Sequence, residues 1–117
     1  MTMAGACDQD PFGFSCRDIV EDYCLQQWED GSTYYLDDDR ALSKDGGGAF
    51  DGTVSQIGWN DRFIVAQRSA TSGGYLGWMV VDLRIRAVSG PYQWSQLSRE
   101  QRTLQIMSPS AAWAKLD

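Results

Sequence analysis

The sequence contains no histidine. Histidine is the side chain that most often acts as a general base near neutral pH, and it is a common ligand of zinc. Its absence excludes Ser-His and Cys-His nucleophile pairs, together with every zinc site that needs an imidazole. We therefore expect a protein that is not an enzyme, with no catalytic residue, no bound metal and no cofactor.

Long apolar runs and an excess of positive charge are also missing. No stretch approaches the roughly 18 to 20 consecutive apolar residues that a membrane-spanning helix requires. The 117 residues carry a net charge of −6, which argues against nucleic acid or an anionic membrane surface as the partner. The length and the 43% content of hydrophobic residues suit one globular domain with a core of its own.

The negative charge is concentrated in the first half of the chain. Residues 1–51 carry twelve acidic and three basic side chains, a net charge of −9, whereas residues 52–117 carry four acidic and seven basic ones, a net charge of +3. A chain with this asymmetry makes a dipolar molecule. We therefore expect one face to meet a cationic partner.

The three cysteines all precede residue 25, and their number is odd. The small residues Ala4–Ala6 before Cys7 resemble the lipobox of bacterial lipoproteins, whose cysteine carries lipid after the signal peptide is removed. Only Met1–Met3 precede this motif, so we expect that the signal peptide is shortened in this sequence. We expect the protein to contact the membrane only through a lipid on Cys7. Asp8 resembles the signal that retains many lipoproteins at the inner membrane. The alternative is an unmodified cysteine in a tail.

A lipid on Cys7 leaves Cys16 and Cys24 to pair with each other. A disulfide that closes so short a loop contributes about 2–3 kcal/mol in an oxidising compartment. One lipid-bearing cysteine and one disulfide account for all three cysteines, and this arrangement favours the periplasm. The alternative is a cytosolic protein in which both thiols stay reduced.

The residues around Asp30-Gly31 predict a β-hairpin. Cys24–Glu29 and Ser32–Asp37 are rich in aromatic residues, and a two-residue Asp-Gly connection favours a type I′ turn. The register that follows pairs Leu25 with Leu36, Gln26 with Tyr35, and Trp28 with Thr33.

Further strands are predicted at intervals of about ten residues. They cover Thr53–Trp59, Arg62–Arg68, Tyr75–Leu83 and Arg84–Ser89. Asn60-Asp61 predicts a turn after the first of these strands, and Gly90-Pro91 predicts the end of the last one.

The pattern changes to a helical one near the C-terminus. Ser98 followed by Gln101 is a capping-box pattern that predicts a helix through about Met107, and Ser108-Pro109 predicts the start of a second helix. The predicted fold class is α+β: an antiparallel β-meander of about six strands with one or two short C-terminal helices. Residues 1–15 are expected to form a flexible tether and residues 16–117 a single β-rich domain.

Three segments carry a resemblance to a known group of proteins. Val54–Ala66, Gly77–Leu83 and Gly90–Tyr92 are similar to segments of short bacterial periplasmic lipoproteins of unknown function. The resemblance implies a β-rich envelope domain without a cofactor, and it supplies no functional residues. Small acidic proteins of this type include immunity proteins, which neutralise antibacterial effectors delivered into the envelope.

The acidic residues that follow the hairpin are the candidate partner-binding set. An acidic loop can steer a protein toward a basic cleft, and buried aromatic residues supply affinity. Calcium binding is the weaker alternative, because Leu42 and Gly48 occupy positions where a calcium loop needs glycine and glutamate. The proposed interface consists of Asp37, Asp38, Asp39, Asp45 and Asp51, with Tyr35 or Trp59 as apolar anchors.

These observations favour a periplasmic binding protein that inhibits a secreted, cationic effector or toxin. The alternative is an envelope lipoprotein that binds glycan or peptide through exposed aromatic residues. Trp59, beside Asn60-Asp61, and Tyr92, beside Trp94, are the aromatic residues that we expect to be exposed, because both groups lie at turns.

Overall fold

The computed structural model describes residues 15–20, 23–38, 52–69 and 75–117. Within these residues the chain forms seven β-strands, one 3-10 turn and two short helices. The strands are β1 (Ser15–Val20), β2 (Tyr23–Gln27), β3 (Tyr34–Asp38), β4 (Thr53–Trp59), β5 (Phe63–Ser69), β6 (Tyr75–Asp82) and β7 (Ala87–Tyr92). The 3-10 turn covers Trp94–Gln96, and the helices are α1 (Arg99–Arg102) and α2 (Pro109–Lys115).

The strands form two antiparallel meanders. One sheet has the order β1-β2-β3 and the other the order β4-β5-β6-β7. This architecture confirms the predicted α+β class and the β-meander. It adds β1, which the sequence pattern did not reveal because Arg17 and Asp18 interrupt the apolar residues; pairing with β2 defines this strand. Most of the tether predicted at residues 1–15 lies outside the described residues.

The hairpin β2–β3 has the predicted register but a different turn. Leu25 pairs with Leu36 and Gln26 with Tyr35, as expected. A type I′ turn needs positive φ at both central residues, whereas among the described residues of this turn only Gly31 has one, at 74°. The Asp30 carboxylate explains the difference, because it accepts hydrogen bonds from the backbone N–H groups of Ser32 and Thr33 and holds a longer loop.

The four-stranded sheet is the middle layer of the molecule. Its central strands carry continuous apolar runs, which are typical of strands buried on both faces. Ile64, Ala66, Met79 and Val81 face the three-stranded sheet in one core, and Phe63, Val65, Trp78 and Val80 face the segment around Leu97 in a second core. The polar turn Asn60-Asp61 is confirmed, since Asn60 Oδ1 accepts from the N–H groups of Arg62 and Phe63.

The predicted strand at Arg84–Ser89 is displaced along the chain. Residues 83–86 form a turn instead, in which Asp82 Oδ1 accepts from the Arg84 N–H at 3.0 Å. Strand β7 begins at Ala87 and continues through Gly90-Pro91, where the prediction ended it. Proline is tolerated there because β7 is an edge strand and the register against β6 is irregular opposite Met79.

The first C-terminal helix is shorter than predicted. Ser98 caps α1 in the expected capping box, but the helix ends at Arg102. The chain then extends so that Met107 exchanges two backbone hydrogen bonds with Ile57 of β4, each 2.9 Å long. These bonds satisfy backbone groups at an edge of the sheet, which explains why the extended form replaces the last helical turns.

The second helix agrees with the prediction. The Ser108 hydroxyl accepts from the Ala111 N–H, and Pro109 occupies the first turn. Ala112 is buried in the core between the sheets, and Trp113 and Leu116 pack against it. No helix within the described ranges is long and apolar enough to cross a membrane.

Candidate functional site

The antiparallel register of β1, β2 and β3 places a defined set of side chains on one face of the three-stranded sheet. Asp18 lies opposite Cys24, which lies opposite Asp37, and Cys16 lies opposite Gln26, which lies opposite Tyr35. Residues that oppose one another in adjacent strands share a face. We call this surface the outer face and define it by Asp18, Gln26, Trp28, Tyr35 and Asp37.

The outer face points away from the core. Tyr34 and Leu36, the neighbours of Tyr35 in β3, belong to the core between the sheets. Because successive side chains of a strand point to opposite sides, Tyr35 and Asp37 must lie on the other surface. Asp18 is exposed, and Tyr35 and Asp37 are half-buried.

An aromatic pair lies at the hairpin end of the outer face. Trp28 is 39% exposed, and its ring centroid is 6.1 Å from that of Tyr35 at a tilt of 46°. This separation is within the range of favourable aromatic contacts, so each ring restricts the other. The pair provides apolar area beside the carboxylate of Asp37.

Among the described residues of the three-stranded sheet and its hairpin, the charged side chains on the solvent side are all acidic. Glu29 and Asp30 extend the acidic set around the turn, and both are exposed. Arg17, the cation of β1, points to the opposite side, where its guanidinium lies 4.2 Å from the centroid of the Trp113 ring. The outer face and the hairpin tip are therefore acidic and aromatic together.

The turn that supports Trp28 depends on an ionised Asp30. The Thr33 hydroxyl donates to Asp30 Oδ2 at 2.6 Å, and the Ser32 and Thr33 N–H groups donate to Oδ1 at 2.9 Å. The Thr33 hydroxyl, followed by these N–H groups, lowers the pKa of the Asp30 carboxyl below its ordinary value. The carboxylate is thus the form that organises the hairpin tip.

The disulfide predicted between Cys16 and Cys24 is present. It joins β1 to β2 with a Cα–Cα distance of 5.8 Å and lies on the same side of the sheet as the outer face, since Cys16 is opposite Gln26 and Cys24 is opposite Asp18. Cys24 is fully buried. The alternative of two reduced thiols therefore does not describe this structure. Cys7 lies outside the described residues.

The structure brings some of the predicted binding residues together and separates another. Tyr35 and Asp37 share the outer face. Trp59 does not: it is half-buried and packs against the core between the sheets, so it cannot join Tyr35 as an anchor on one surface. Asp38 ends β3, and its side chain is outside the described part, as are Asp39, Asp45 and Asp51 in full.

The aromatic residues that are most exposed differ from those predicted. Trp59 and Tyr92 are half-buried, whereas Trp28 and Trp94 are 39% and 38% exposed. The turn positions of Trp59 and Tyr92 suggested exposure, but each ring packs on one of the two cores. Asp18 and Trp28 were absent from the predicted set, although the predicted hairpin register already placed Trp28 and Tyr35 two positions apart across the strands.

The described residues contain no group of three or more Cys, Asp or Glu side chains placed to hold a metal ion. Comparison with protein-family models, with curated proteins and with solved structures finds no match to this chain.

Proposed function

We propose that this protein is a non-enzymatic binding protein of the bacterial periplasm that neutralises a secreted, cationic antibacterial effector. The single observation that carries the proposal is the placement of Asp37 and Tyr35 on one outer face, together with Asp18 and Trp28. Carboxylates beside exposed aromatic rings are the combination that binds a basic protein surface, because charge directs the encounter and the rings supply apolar area.

The disulfide supports the proposed compartment. Disulfides form and persist in the periplasm and other oxidising environments and are rare in the cytosol of most bacteria. The Cys16–Cys24 bridge leaves Cys7 as the cysteine without a partner among the three, in keeping with a lipid anchor. The lipobox-like residues before Cys7 and the resemblance of the middle segments to periplasmic lipoproteins point the same way.

The proposed interface also includes the carboxylates that follow Asp37 in the sequence. Asp37 lies in the last part of β3, and the remaining carboxylates of the predicted set follow it in the sequence. A partner that contacts Asp37 and Tyr35 is therefore expected to meet Asp38, Asp39, Asp45 and Asp51 as well. In this proposal the outer face is one part of the interface and the loop is the other.

A protection assay tests the proposal directly. The probe is a secreted effector sought among the genes that neighbour this one, produced in the periplasm of a susceptible bacterium with and without this protein. We expect protection by the unaltered chain, loss of most protection with Asp37→Lys, and binding that weakens as salt is raised. Asp61→Lys is the matched control, because Asp61 is exposed at the β4–β5 turn and the charge change is identical.

Two results would contradict the proposal. Full protection by Asp37→Lys together with Tyr35→Ala would remove the outer face from the interface. Equal loss with Asp37→Lys and Asp61→Lys would mean that net charge, rather than this surface, governs the interaction. Circular dichroism of each variant excludes misfolding as the cause.

Binding of glycan through aromatic residues is the second candidate function. Trp94 favours it, because its ring is 38% exposed and its centroid lies 4.8 Å from that of Trp78, which holds it in place. A peptidoglycan fragment is the probe, followed by tryptophan fluorescence. Binding that Trp94→Ala abolishes and salt leaves unchanged would favour this function over the inhibitor.

A further inference from the structure

A row of four side chains crosses the four-stranded sheet on the face that carries the second core. Gln56 lies opposite Gln67, and Gln67 lies opposite Trp78. Trp78 in turn lies opposite Tyr92. Trp78 belongs to the second core and Tyr92 packs against it, and residues that oppose one another share a face. Because neighbouring strands lie about 4.8 Å apart, the row extends over about 14 Å. We call these four residues the transverse row.

An exposed indole lies against the aromatic end of the transverse row. The Trp94 ring is 38% exposed, and its centroid lies 4.8 Å from that of Trp78 at a tilt of 58°. The 3-10 turn holds this indole in place, since Gln96 Oε1 accepts from the Gln93 N–H at 2.8 Å. The Trp94 ring is therefore a preformed apolar platform beside the row, and a ligand that stacks on it orders little of the protein.

Two amides form the other end of the transverse row. Gln67 Oε1 accepts from Ser55 Oγ at 3.1 Å and from Gln56 Nε2 at 3.0 Å. These bonds fix the Gln67 amide with its Nε2 turned away from both donors. Among the described residues, none accepts from Gln67 Nε2 and none donates to Gln56 Oε1. One donor and one acceptor on neighbouring strands are thus available to a ligand.

The transverse row carries no charge. Arg68 follows Gln67 in β5 but points to the other face, because successive side chains alternate and its partner Val54 belongs to the core between the sheets. A charged ligand would lose hydration at the row without gaining a counter-ion. A sugar offers C–H groups to an aromatic ring and hydroxyl or acetamido groups to amides. The row and Trp94 therefore suit a neutral oligosaccharide.

We propose that the transverse row and Trp94 together bind a neutral oligosaccharide. The Trp94 ring stacks on one sugar, while Gln67 Nε2 donates to a neighbouring sugar and Gln56 Oε1 accepts from it. The row faces away from the three-stranded sheet, so it does not overlap the outer face. The proposal rests on the glycan-binding candidate function, for which it supplies the site, and it is independent of the inhibitor function.

The test uses triacetylchitotriose, a neutral trimer of N-acetylglucosamine, with isothermal titration calorimetry as the readout. Its deacetylated trimer, in mildly acidic buffer that keeps the amines charged, is the charge control. The net charge of −6 attracts this cationic trimer, which makes the control stringent. We expect the neutral trimer to bind about fivefold more tightly than the deacetylated one, which lacks the acetamido groups that pair with the amides.

Three variants assign the binding to the row. Gln67→Glu removes the Nε2 donor and keeps an oxygen that accepts from Ser55 and Gln56, so the local structure is retained. We expect the neutral trimer to bind about fivefold more weakly to Gln67→Glu and about tenfold more weakly to Trp94→Ala. Gln26→Glu is the matched control, because it makes the same change at a half-buried glutamine of the other sheet, and binding should be unchanged.

Each of four outcomes would overturn the proposal. No binding of the neutral trimer would remove this oligosaccharide site and leave the inhibitor function to its own protection assay. Equal binding of the deacetylated trimer would show that the site does not select a neutral ligand. Full binding to Gln67→Glu with loss in Trp94→Ala would keep the glycan candidate but exclude the transverse row. Equal weakening in Gln67→Glu and Gln26→Glu would assign the effect to net charge.

Discussion

The guanidinium of Arg17 lies over the indole of Trp113, 4.2 Å from the ring centroid, and its Nη1 donates to the Trp113 carbonyl at 2.6 Å. These two residues join the first described strand to the last helix across 96 positions of sequence. The Tyr34 ring meets the same indole, with 5.9 Å between the centroids. Arg17 thus fastens α2 to the three-stranded sheet and points away from the acidic outer face.

Replacing Arg17 by methionine should loosen α2. The variant keeps apolar volume but loses the stacked cation and the hydrogen bond, and we expect the free energy of unfolding to fall by about 1–2 kcal/mol. Urea unfolding followed by tryptophan fluorescence measures this change. Asp117→Asn is the control, because it removes only the exposed ion pair with Arg17 and should cost less than about 0.5 kcal/mol. Equal losses in the two variants would contradict the role of the stacking contact.

Removing the disulfide should destabilise the fold without abolishing it. The bridge restricts the unfolded chain between β1 and β2, and we expect its loss to cost about 2–3 kcal/mol. The measurement compares Cys7→Ser with a chain that also carries Cys16→Ser and Cys24→Ser, so that Cys7 cannot exchange with either partner. Mass spectrometry of Cys7→Ser should show a gain of two hydrogen atoms upon reduction. Identical urea midpoints for the two chains would contradict the expected contribution.

Gly58 should tolerate no side chain. A Cβ at this position would lie 2.7 Å from the Gln105 carbonyl oxygen and 2.7 Å from Ile106 Cδ1, where the C-terminal segment crosses β4. We expect Gly58→Ala to lower the free energy of unfolding by about 1–3 kcal/mol. The matched control is Gln105→Ala, which removes an exposed side chain but keeps the carbonyl, and should change stability by less than about 0.5 kcal/mol. Unfolding monitored by circular dichroism separates the two.

The hairpin tip should lose stability in acid. The pKa of Asp30 is lowered in the folded state, first by the Thr33 hydroxyl, so the folded carboxyl binds its proton less readily than the unfolded one. This stabilisation is complete above the unfolded pKa of about 3.9 and is lost as the pH falls through the folded pKa. An NMR titration should show the pKa of Asp30 rising in Thr33→Val. Thr53→Val, whose hydroxyl bonds elsewhere, should leave that pKa unchanged.

The sequence by itself determined the strands whose patterns are local. Thr53–Trp59 was predicted with its observed bounds, and the register of Leu25 with Leu36 followed from the position of the hairpin. The caps at Ser98 and Ser108 were also recognisable, because a cap involves residues within one helical turn. The bridge between Cys16 and Cys24 was also predictable from the sequence, because only these two cysteines remain when Cys7 is assigned to a lipid.

Only the tertiary structure decided which faces of these elements are covered. The backbone of Ile57 forms hydrogen bonds with Met107, 50 positions later in the sequence. The helix predicted through Met107 therefore ends earlier, at Arg102. Trp59, which was expected to be exposed, packs against the core, whereas Trp28, for which no exposure was predicted, is exposed. Burial depends on elements distant in sequence, which no local pattern contains. The same dependence decided which acidic residues share the outer face, and it left most residues of β7 exposed.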